Sequence, residues 1–418
     1  MREPLPQRFC NLDRLLHAMA ARGLDGIVAT TPQNVYYLSG FNAIAHKSDE
    51  PRPYAVLLSR HAPEHPVMVV ADYYLATFLA QPTWIEDLRP FRAVMMPLDL
   101  PPARTDIDRF IPASGTGVAW LGRARKSYAF DMNSALSAAF KDLKLEHGRV
   151  AFDDPGFGMR LAIDTLQVID GYDAFMFARA VKSGTELRLL ERATQLNEAA
   201  IRRTIDAWRQ GATWRDLGDA YARAAVDLGG FVRDPGAMVW SHPQGADAAI
   251  ALQTGHEDGA IERGTHVMFD CHGTRDLYCW DGGKTWVAGG EPEGTGKRNA
   301  DATARVAGEL LAAMRPGARV SGLQSLAREV YRKAGLPNPA QAVIFFHGLG
   351  LSHMDIEQRT ADGKANGDWP LEKGMVVPLH LLVPGGARER YWLEEVVVVA
   401  EGGGRALFSW GFGPLDAG

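Results

Sequence analysis

The sequence reads as an α+β protein of two domains. A smaller α/β domain comes first, and a larger α+β domain follows in which a helix pair leading into strands occurs twice. Three observations predict this. A chain of 418 residues is longer than one ordinary core accommodates. Helical and strand-type periods alternate as far as Val150–Asp153, which is the pattern of an α/β layer. After Val181-Lys182-Ser183-Gly184 the pattern changes to two amphipathic helices and strands, then two more helices and strands, with no letter-level repeat between the halves. The boundary falls between residues 170 and 184, giving domains 1–175 and 176–418.

In the first domain, residues 10–22 carry apolar residues at helical spacing and stop at Gly23. Asp25–Thr30 is a strand, and Gln33–Phe41 reads as a turn into an aromatic strand. Further strands are expected at Pro53–Leu58, Val67–Val70 and Val150–Asp153, with a helix near Ser127–Leu143 and a weaker strand-and-helix region over Asp164–Ala180. In the second domain, Thr185–Gln210 is a long helix with acids early and bases late, as the helix dipole favours. Trp214–Leu228 is its partner. Strands follow at Ala237–Trp240, His266–Cys271, Leu277–Asp281 and Thr285–Ala288. The helices Lys297–Met314 and Val320–Ala334 are parted by Arg315-Pro316-Gly317, and strands close the chain at Val343–Phe346, Met375–Val383, Tyr391–Val399 and Arg405–Ser409.

Composition narrows the function. At 46% hydrophobic and 23% charged the chain is a globular protein, and a net charge of −5 gives no electrostatic case for nucleic acid or an anionic membrane. Met1–Gly23 has no apolar core of signal-peptide type, and no apolar run reaches spanning length. Cys10, Cys271 and Cys279 match neither a disulfide framework nor a zinc module. A cytoplasmic, reduced protein is expected.

The chemistry concentrates in Phe269–Trp286, FDCHGTRDLYCWDGGKTW. If its strands pair symmetrically about Thr274–Arg275–Asp276, Asp270 faces Asp281 across the ribbon. Two such acids repel when buried, and a Mn, Mg, Zn or Fe ion between them would remove that penalty. On this motif alone a metal cradle and a solvent-facing hairpin are both open. His347 stands at a strand end before a Gly-x-Gly turn, and Glu394 stands in a strand apolar on both faces, where a charge needs a partner or a cation. His380 is likewise a polar residue inside an apolar strand.

The order Asp270, Asp281, His347, the approach strand Leu371–Val376, then Glu394 resembles the M24 metallopeptidases, the pita-bread family of methionine aminopeptidase, Xaa-Pro aminopeptidase, prolidase and the metal-free creatinase. The HGLGL after His347 and the opening Val181-Lys182-Ser183-Gly184-Thr185-Glu186 match as well. Residues 10–41, ending in NVYYLSGF, resemble the N-terminal domain of the prolidase and creatinase branch. The resemblance implies a pita-bread catalytic domain with a pseudo-two-fold αα-ββ repeat. It also implies one or two divalent ions (Mn, Zn, Fe or Co), a small-molecule or short-peptide substrate, and a homodimer. By that resemblance Asp270 would chelate one ion, Asp281 and Glu394 would bridge, and His347 would serve the second.

The sequence departs from the family in three places. The family's glutamate ligand, which usually also accepts the proton, is replaced by His380, a one-nitrogen ligand that removes a negative charge. The histidine that contacts substrate is replaced by Gln253, which cannot titrate but can hydrogen-bond; His256 follows three residues later. The second family histidine is His353, six residues after His347 where the family has seven. His353, Gln253 and His380 are therefore the candidate catalytic residues, and Asp270, Asp281, His347, His380 and Glu394 the candidate metal ligands. His272 points toward the acids or caps a turn. Trp240, His242, Arg388 and Trp392 are candidates for the substrate pocket, while Arg388 and Arg390 read either as solvated loop charges or as carboxylate clamps for an acidic substrate. Three functions remain open: a metal-dependent hydrolase of a peptide or small-amide C–N bond, a small-molecule enzyme of creatinase or dimethylsulfoniopropionate-lyase type, and a non-catalytic binding module. Four retained ligand-type residues favour the first.

Overall fold

A computed structural model describes residues 5–43, 53–93, 107–233, the backbone of 239–240, and 258–415. Gln253, His256 and His242 lie outside the described residues, as does the side chain of Trp240. The chain forms two compact units. One runs to Arg179 and takes in Glu357–Asn366; the other starts at Ala180, runs to Ile356 and resumes at Gly367.

The first unit holds strands β1 (Gly26–Ala29), β2 (Tyr54–Ser59), β3 (Val67–Ala71), β4 (Asp87–Phe91), β5 (Arg149–Phe152) and β6 (Gln167–Asp170). Among the described residues they form a mixed sheet in the order β4-β3-β2-β1-β5-β6. The strands β1, β2 and β3 are buried at every residue, the mark of a sheet covered on both faces. Its helices are α1 (Leu12–Ala21), α2 (Pro32–Ser39), α3 (Thr77–Ala80), α4 (Leu121–Ser127), α5 (Met132–Asp142), α6 (Pro155–Arg160) and α7 (Tyr172–Ala180).

Helix α2 corrects the expected aromatic strand at Gln33–Phe41. Pro32 occupies the first turn, where its missing N–H costs nothing, and Gly40 closes the helix in the left-handed region at φ 73°. Residues 34–39 are all buried, so no polar stripe survives to betray the helical period. Asp153, just past β5, accepts from Thr30, Thr31 and Asn34 and pins the helix start to the sheet.

The second unit opens with α8 (Gly184–Ala207) and α9 (Trp214–Asp227), each started by a capping box, Ser183 with Glu186 and Thr213 with Asp216. Helix α8 ends three residues before the expected Gln210. Its last turn has no basic residue, and Arg209 instead caps from beyond the end by donating to the carbonyls of Asp206 and Trp208. Next come β7 (Phe231–Val232), β8 (Val239–Trp240), β9 (His266–Phe269), β10 (Gly273–Arg275), β11 (Tyr278–Trp280) and β12 (Gly283–Val287). Helices α10 (Gly294–Ala313) and α11 (Val320–Lys333) follow, then β13 (Val343–Phe346), β14 (Val376–Val383), β15 (Tyr391–Ala400) and β16 (Gly403–Ala406). The helix-pair-then-strands order thus occurs twice. Among the described residues the strands make one large sheet, β13-β14-β15-β12-β9-β8 with β16 on β15, and a small one, β11-β10-β7. Apolar residues of α10, α11, β14 and β15 share one core, including Val306, Leu310, Tyr331, Leu379, Leu381 and Val397.

The ribbon carrying the two acids departs from the symmetric pairing. Asp276 and Leu277 form its two-residue turn, both at positive φ (50° and 68°), and Arg275 pairs with Tyr278. On the far side Met268 pairs with Thr285. Continuing that register sets Asp270 across from Gly283, two residues from Asp281. Between the two ladders the ribbon passes from the small sheet to the large one, and both acids sit at the crossing.

Candidate metal centre

Four side chains converge on one point. Asp281, His347, His380 and Glu394 are buried, and one ligand-type atom from each lies within 4.8 Å of all the others. The large sheet sets this up by register. Phe345 on β13 pairs with His380 on β14, His380 pairs with Glu394 on β15, and Glu394 pairs with Gly283 on β12. His380 Nε2 lies 2.8 Å from Glu394 Oε1. The ring of Phe345 stacks on His380 at 3.8 Å and 18°, and Trp392 meets the same imidazole edge-on at 5.5 Å.

Glycines make room for the carboxylates. Gly282 takes φ 85°, and a Cβ there would lie 2.9–3.2 Å from Glu394 O, Cγ and Cδ. Its N–H donates to Asp281 Oδ1 at 2.9 Å, so Oδ2 is the oxygen left facing the cluster. His347 directs Nδ1 at the Gly348 carbonyl (3.1 Å), which places the proton on Nδ1 and a lone pair on Nε2. The loop after it is held by Asp355, whose carboxylate accepts from the N–H groups of Leu351 and Ser352 and lies 3.7 Å from the buried Lys182 ammonium.

The other candidates stand around this group. His353 is half-exposed, with Nε2 2.8 Å from Asp281 Oδ2, and its ring is 4.7 Å from that of His347. His272 lies beyond it, 5.4 Å between ring centroids. Asp270 is half-buried, hydrogen-bonded with Glu394 and within the field of Asp281 and His353. The pocket candidates separate: Trp392 is against His380, whereas Arg388 is exposed and donates to the Arg263 carbonyl. Arg390 is not a solvated loop charge. It is buried and donates to the His266 carbonyl, while His266 Nδ1 meets the Arg390 carbonyl at 2.7 Å.

Burial and mutual charge set the protonation states. Desolvation and the neighbouring Asp281 charge push Asp270 up to about 7. Desolvation, with Asp281 and Asp270 beside it, lifts Glu394 well above the carboxylate range. Burial works against ionisation of Asp281 too, but His353, His347 and His380 outweigh it and bring its pKa to about 2. Burial lowers His347 and lowers His380 further. For His353 burial is overcome by the Asp281 and Asp270 carboxylates, and its pKa rises.

This donor set fits a divalent cation. Asp281 Oδ2, His347 Nε2, His380 Nδ1 and both carboxylate oxygens of Glu394 are buried without an aligned hydrogen bond. Buried polar atoms are ordinarily satisfied, whereas Asp281 Oδ2, His347 Nε2 and the Glu394 carboxylate have as their close neighbours one another and the imidazole nitrogens of His353 and His380 at 2.8 Å, a set that a cation would satisfy. Two imidazoles with two carboxylates suit Zn, Mn, Fe or Co.

Sequence reasoning passed over Asn197, Tyr221, Lys182 and Asp355. Asn197 alone stood out, as a polar residue on the apolar stripe of α8 among Leu189, Leu190, Ala193 and Ile201.

Comparison with known proteins gives two family matches. Residues 188–401 match the model described as metallopeptidase family M24, and residues 11–154 match that of the creatinase/prolidase N-terminal domain. An uncharacterized peptidase of Staphylococcus saprophyticus is 21% identical over 404 residues, covering 95% of this chain and 98% of the relative. Among solved structures, an X-Pro aminopeptidase from Thermotoga maritima is similar at TM-score 0.66 and 18% identity, covering 96% of this chain and 98% of its own. A dipeptidase from Pyrococcus horikoshii gives TM-score 0.69 at 18% identity with the same coverage. At these identities the likeness establishes the fold, the pita-bread architecture that the sequence led one to expect.

Proposed function

This chain belongs to metallopeptidase family M24, and from that premise we propose that it is a metal-dependent hydrolase of a C–N bond in a short peptide or small amide. The buried Asp281–His347–His380–Glu394 group, whose ligand-type atoms lie within 4.8 Å of one another, carries the reading. When bound, a divalent ion supplies Lewis acidity toward a carbonyl oxygen and an attacking water.

The chain's own residues do the rest. Asp281, His347, His380 and Glu394 would hold the ion, and Asp270 would add a further carboxylate. His353 is half-exposed beside Asp281 and keeps its proton more readily than a free imidazole, so it is placed to donate a hydrogen bond to substrate. Gln253 is assigned a hydrogen bond to substrate as well. His380 replaces the family's proton-accepting glutamate. Its neutral imidazole, pressed between Phe345 and Glu394, is a weaker base, which favours an activated or small amide over an ordinary Xaa-Pro peptide. Manganese is the preferred ion, one or two per chain, and a cytoplasmic homodimer the preferred state, both drawn from the family's prolidase branch. No helix among the described residues is long and apolar enough to cross a membrane.

Elemental analysis of protein purified without chelators tests this reading, with activity measured on Xaa-Pro dipeptides and N-acyl amides. Bound Mn, Zn, Fe or Co is expected, with activity restored to stripped protein by Mn or Co. Absence of bound metal, with no gain on adding either, refutes it. Products separate the chemistries: an amine or amino acid marks hydrolysis, and an unsaturated acid marks a lyase.

A further inference from the structure

We propose that Asn197 and Tyr221 are positioning residues that set the geometry of the two acids at the strand crossing; the inference rests on reading those acids as metal-binding. Asn197, on α8, is fully buried, and so is Tyr221 on α9. Asn197 Nδ2 lies 2.9 Å from the Gly282 carbonyl, 3.4 Å from that of Cys271 and 3.5 Å from that of Asp281. Tyr221 donates its hydroxyl to Asn197 Oδ1 at 2.7 Å. Three carbonyl oxygens can only accept, so the amide nitrogen must face them and the amide oxygen must face the tyrosine.

The location gives this contact its meaning. The ribbon changes sheets between Phe269 and Gly273 on one strand and between Trp280 and Gly283 on the other. There the ladder narrows to one backbone bond, from the Cys271 N–H to the Gly282 carbonyl at 3.2 Å, and the carbonyls next to Asp270 and Asp281 have room for further donors. Asn197 supplies them from a helix, to both strands at once. The Gly282 peptide then transmits the constraint. Its carbonyl takes the Asn197 N–H, its own N–H holds Asp281 Oδ1, and Asp281 Oδ2 is thereby turned to the cluster. Tyr221 fixes which way round the Asn197 amide sits. The chain of contacts runs Tyr221, Asn197, Gly282, Asp281.

Two variants, Asn197→Ala and Tyr221→Phe, test the assignment. Tyr221→Phe keeps the ring packed and carries the test alone if Asn197→Ala does not fold. Three readouts are taken: amide exchange at Gly282 and Cys271 in metal-free protein, Mn(II) affinity by electron paramagnetic resonance, and the visible spectrum of the Co(II) form. The expected result is at least about tenfold faster exchange at those amides. Mn(II) affinity should weaken by roughly 10–100-fold in Asn197→Ala and less in Tyr221→Phe, with altered Co(II) bands. Folded variants with wild-type Mn(II) affinity and an unchanged Co(II) spectrum overturn the proposal, whatever their exchange rates, because the contact is then only structural. Wild-type protein that binds no Mn(II) or Co(II) overturns the metal reading and this inference with it; wild-type binding matched by both variants overturns this inference alone.

Discussion

Placing a carboxylate at position 380 is the sharpest probe of the centre. His380 and Glu394 are cross-strand partners, and Nε2 already lies 2.8 Å from Oε1, so the side chain of His380→Glu must enter the space among Glu394, Asp281 and His347. Two like charges about 4 Å apart repel by roughly 4 kcal/mol at an effective dielectric constant of about 20. Loss of the ring stack with Phe345 adds about 1 kcal/mol. Metal-free His380→Glu should therefore be less stable than wild type at pH 8 by on the order of 4–5 kcal/mol. The sign of the pH effect follows from the protonation states. Near pH 5 the carboxyls that burial has raised, Asp270 and Glu394, carry protons, and the repulsion is reduced to that with Asp281, which stays ionised. Wild type meanwhile loses stability below its unfolded histidine pKa of about 6.5, because His380 is held neutral when folded. The deficit of the variant should accordingly shrink as pH falls. With metal present the order reverses, since a bidentate carboxylate replaces one nitrogen, and Mn(II) stoichiometry should rise toward two per chain. Urea denaturation of stripped protein at pH 5 and 8, and Mn(II) titration followed by elemental analysis, measure both effects. A small pH-independent loss together with unchanged stoichiometry would show that residue 380 does not face the metals.

Removing either central acid should be decisive: Asp281→Ala and Glu394→Ala are each expected to abolish metal retention through gel filtration, whereas a surface control such as Lys373→Ala retains it. Gly282→Ala combines a left-handed φ with a Cβ driven against Glu394, and should cost roughly 1–3 kcal/mol in denaturant unfolding and weaken Mn(II) binding. Glu186, buried under Tyr278 and far along the chain from the ligands, is raised by desolvation from 4.5 to about 7. A raised carboxyl lowers stability increasingly as pH climbs from its unfolded pKa to its folded one. The stability of Glu186→Gln relative to wild type should thus improve between pH 4.5 and 7, by roughly 3 kcal/mol at most, in paired urea titrations; a difference that does not change with pH would sink the assignment.

How much of this was legible in the sequence depended on whether a residue contradicted its surroundings. Glu394 and His380 could be found because each is polar inside an apolar strand, and His347 because it ends one before a glycine turn. The helix Pro32–Ser39 could not, because burial on all sides erased the polar stripe that marks helical period. The ribbon register could not either. Its turn uses Asp276 and Leu277 at positive φ, and a leucine there carries none of the Asn-Gly or Asp-Gly signal that locates such turns. Asn197 and Asp355 act through backbone carbonyls and N–H groups 74 to 85 residues and three to four residues away respectively. Contacts with backbone leave no complementary side chain to notice.

The proposed exchange of the family's glutamate for His380 would change the charge of the centre while leaving its position in the sheet intact. The row Phe345, His380, Glu394, Gly283 is fixed by strand pairing, so any residue at 380 is delivered to the same place. What changes is how the metal-free site stays neutral. Asp281 remains ionised beside three imidazoles, His353 tends to hold its proton against Asp281, and Asp270 and Glu394 tend to hold theirs against each other. A cation entering this site has fewer fixed negative charges to attract it than with a glutamate at 380, and must displace protons from the acids it meets. Metal affinity is then tied to pH through Asp270 and Glu394, and to geometry through the Gly282 peptide that turns Asp281 inward. A fold that specifies its ligand positions by register delivers whichever residue stands at 380 to the same place, so on the proposed reading one substitution would alter the charge and the base of the site without moving it.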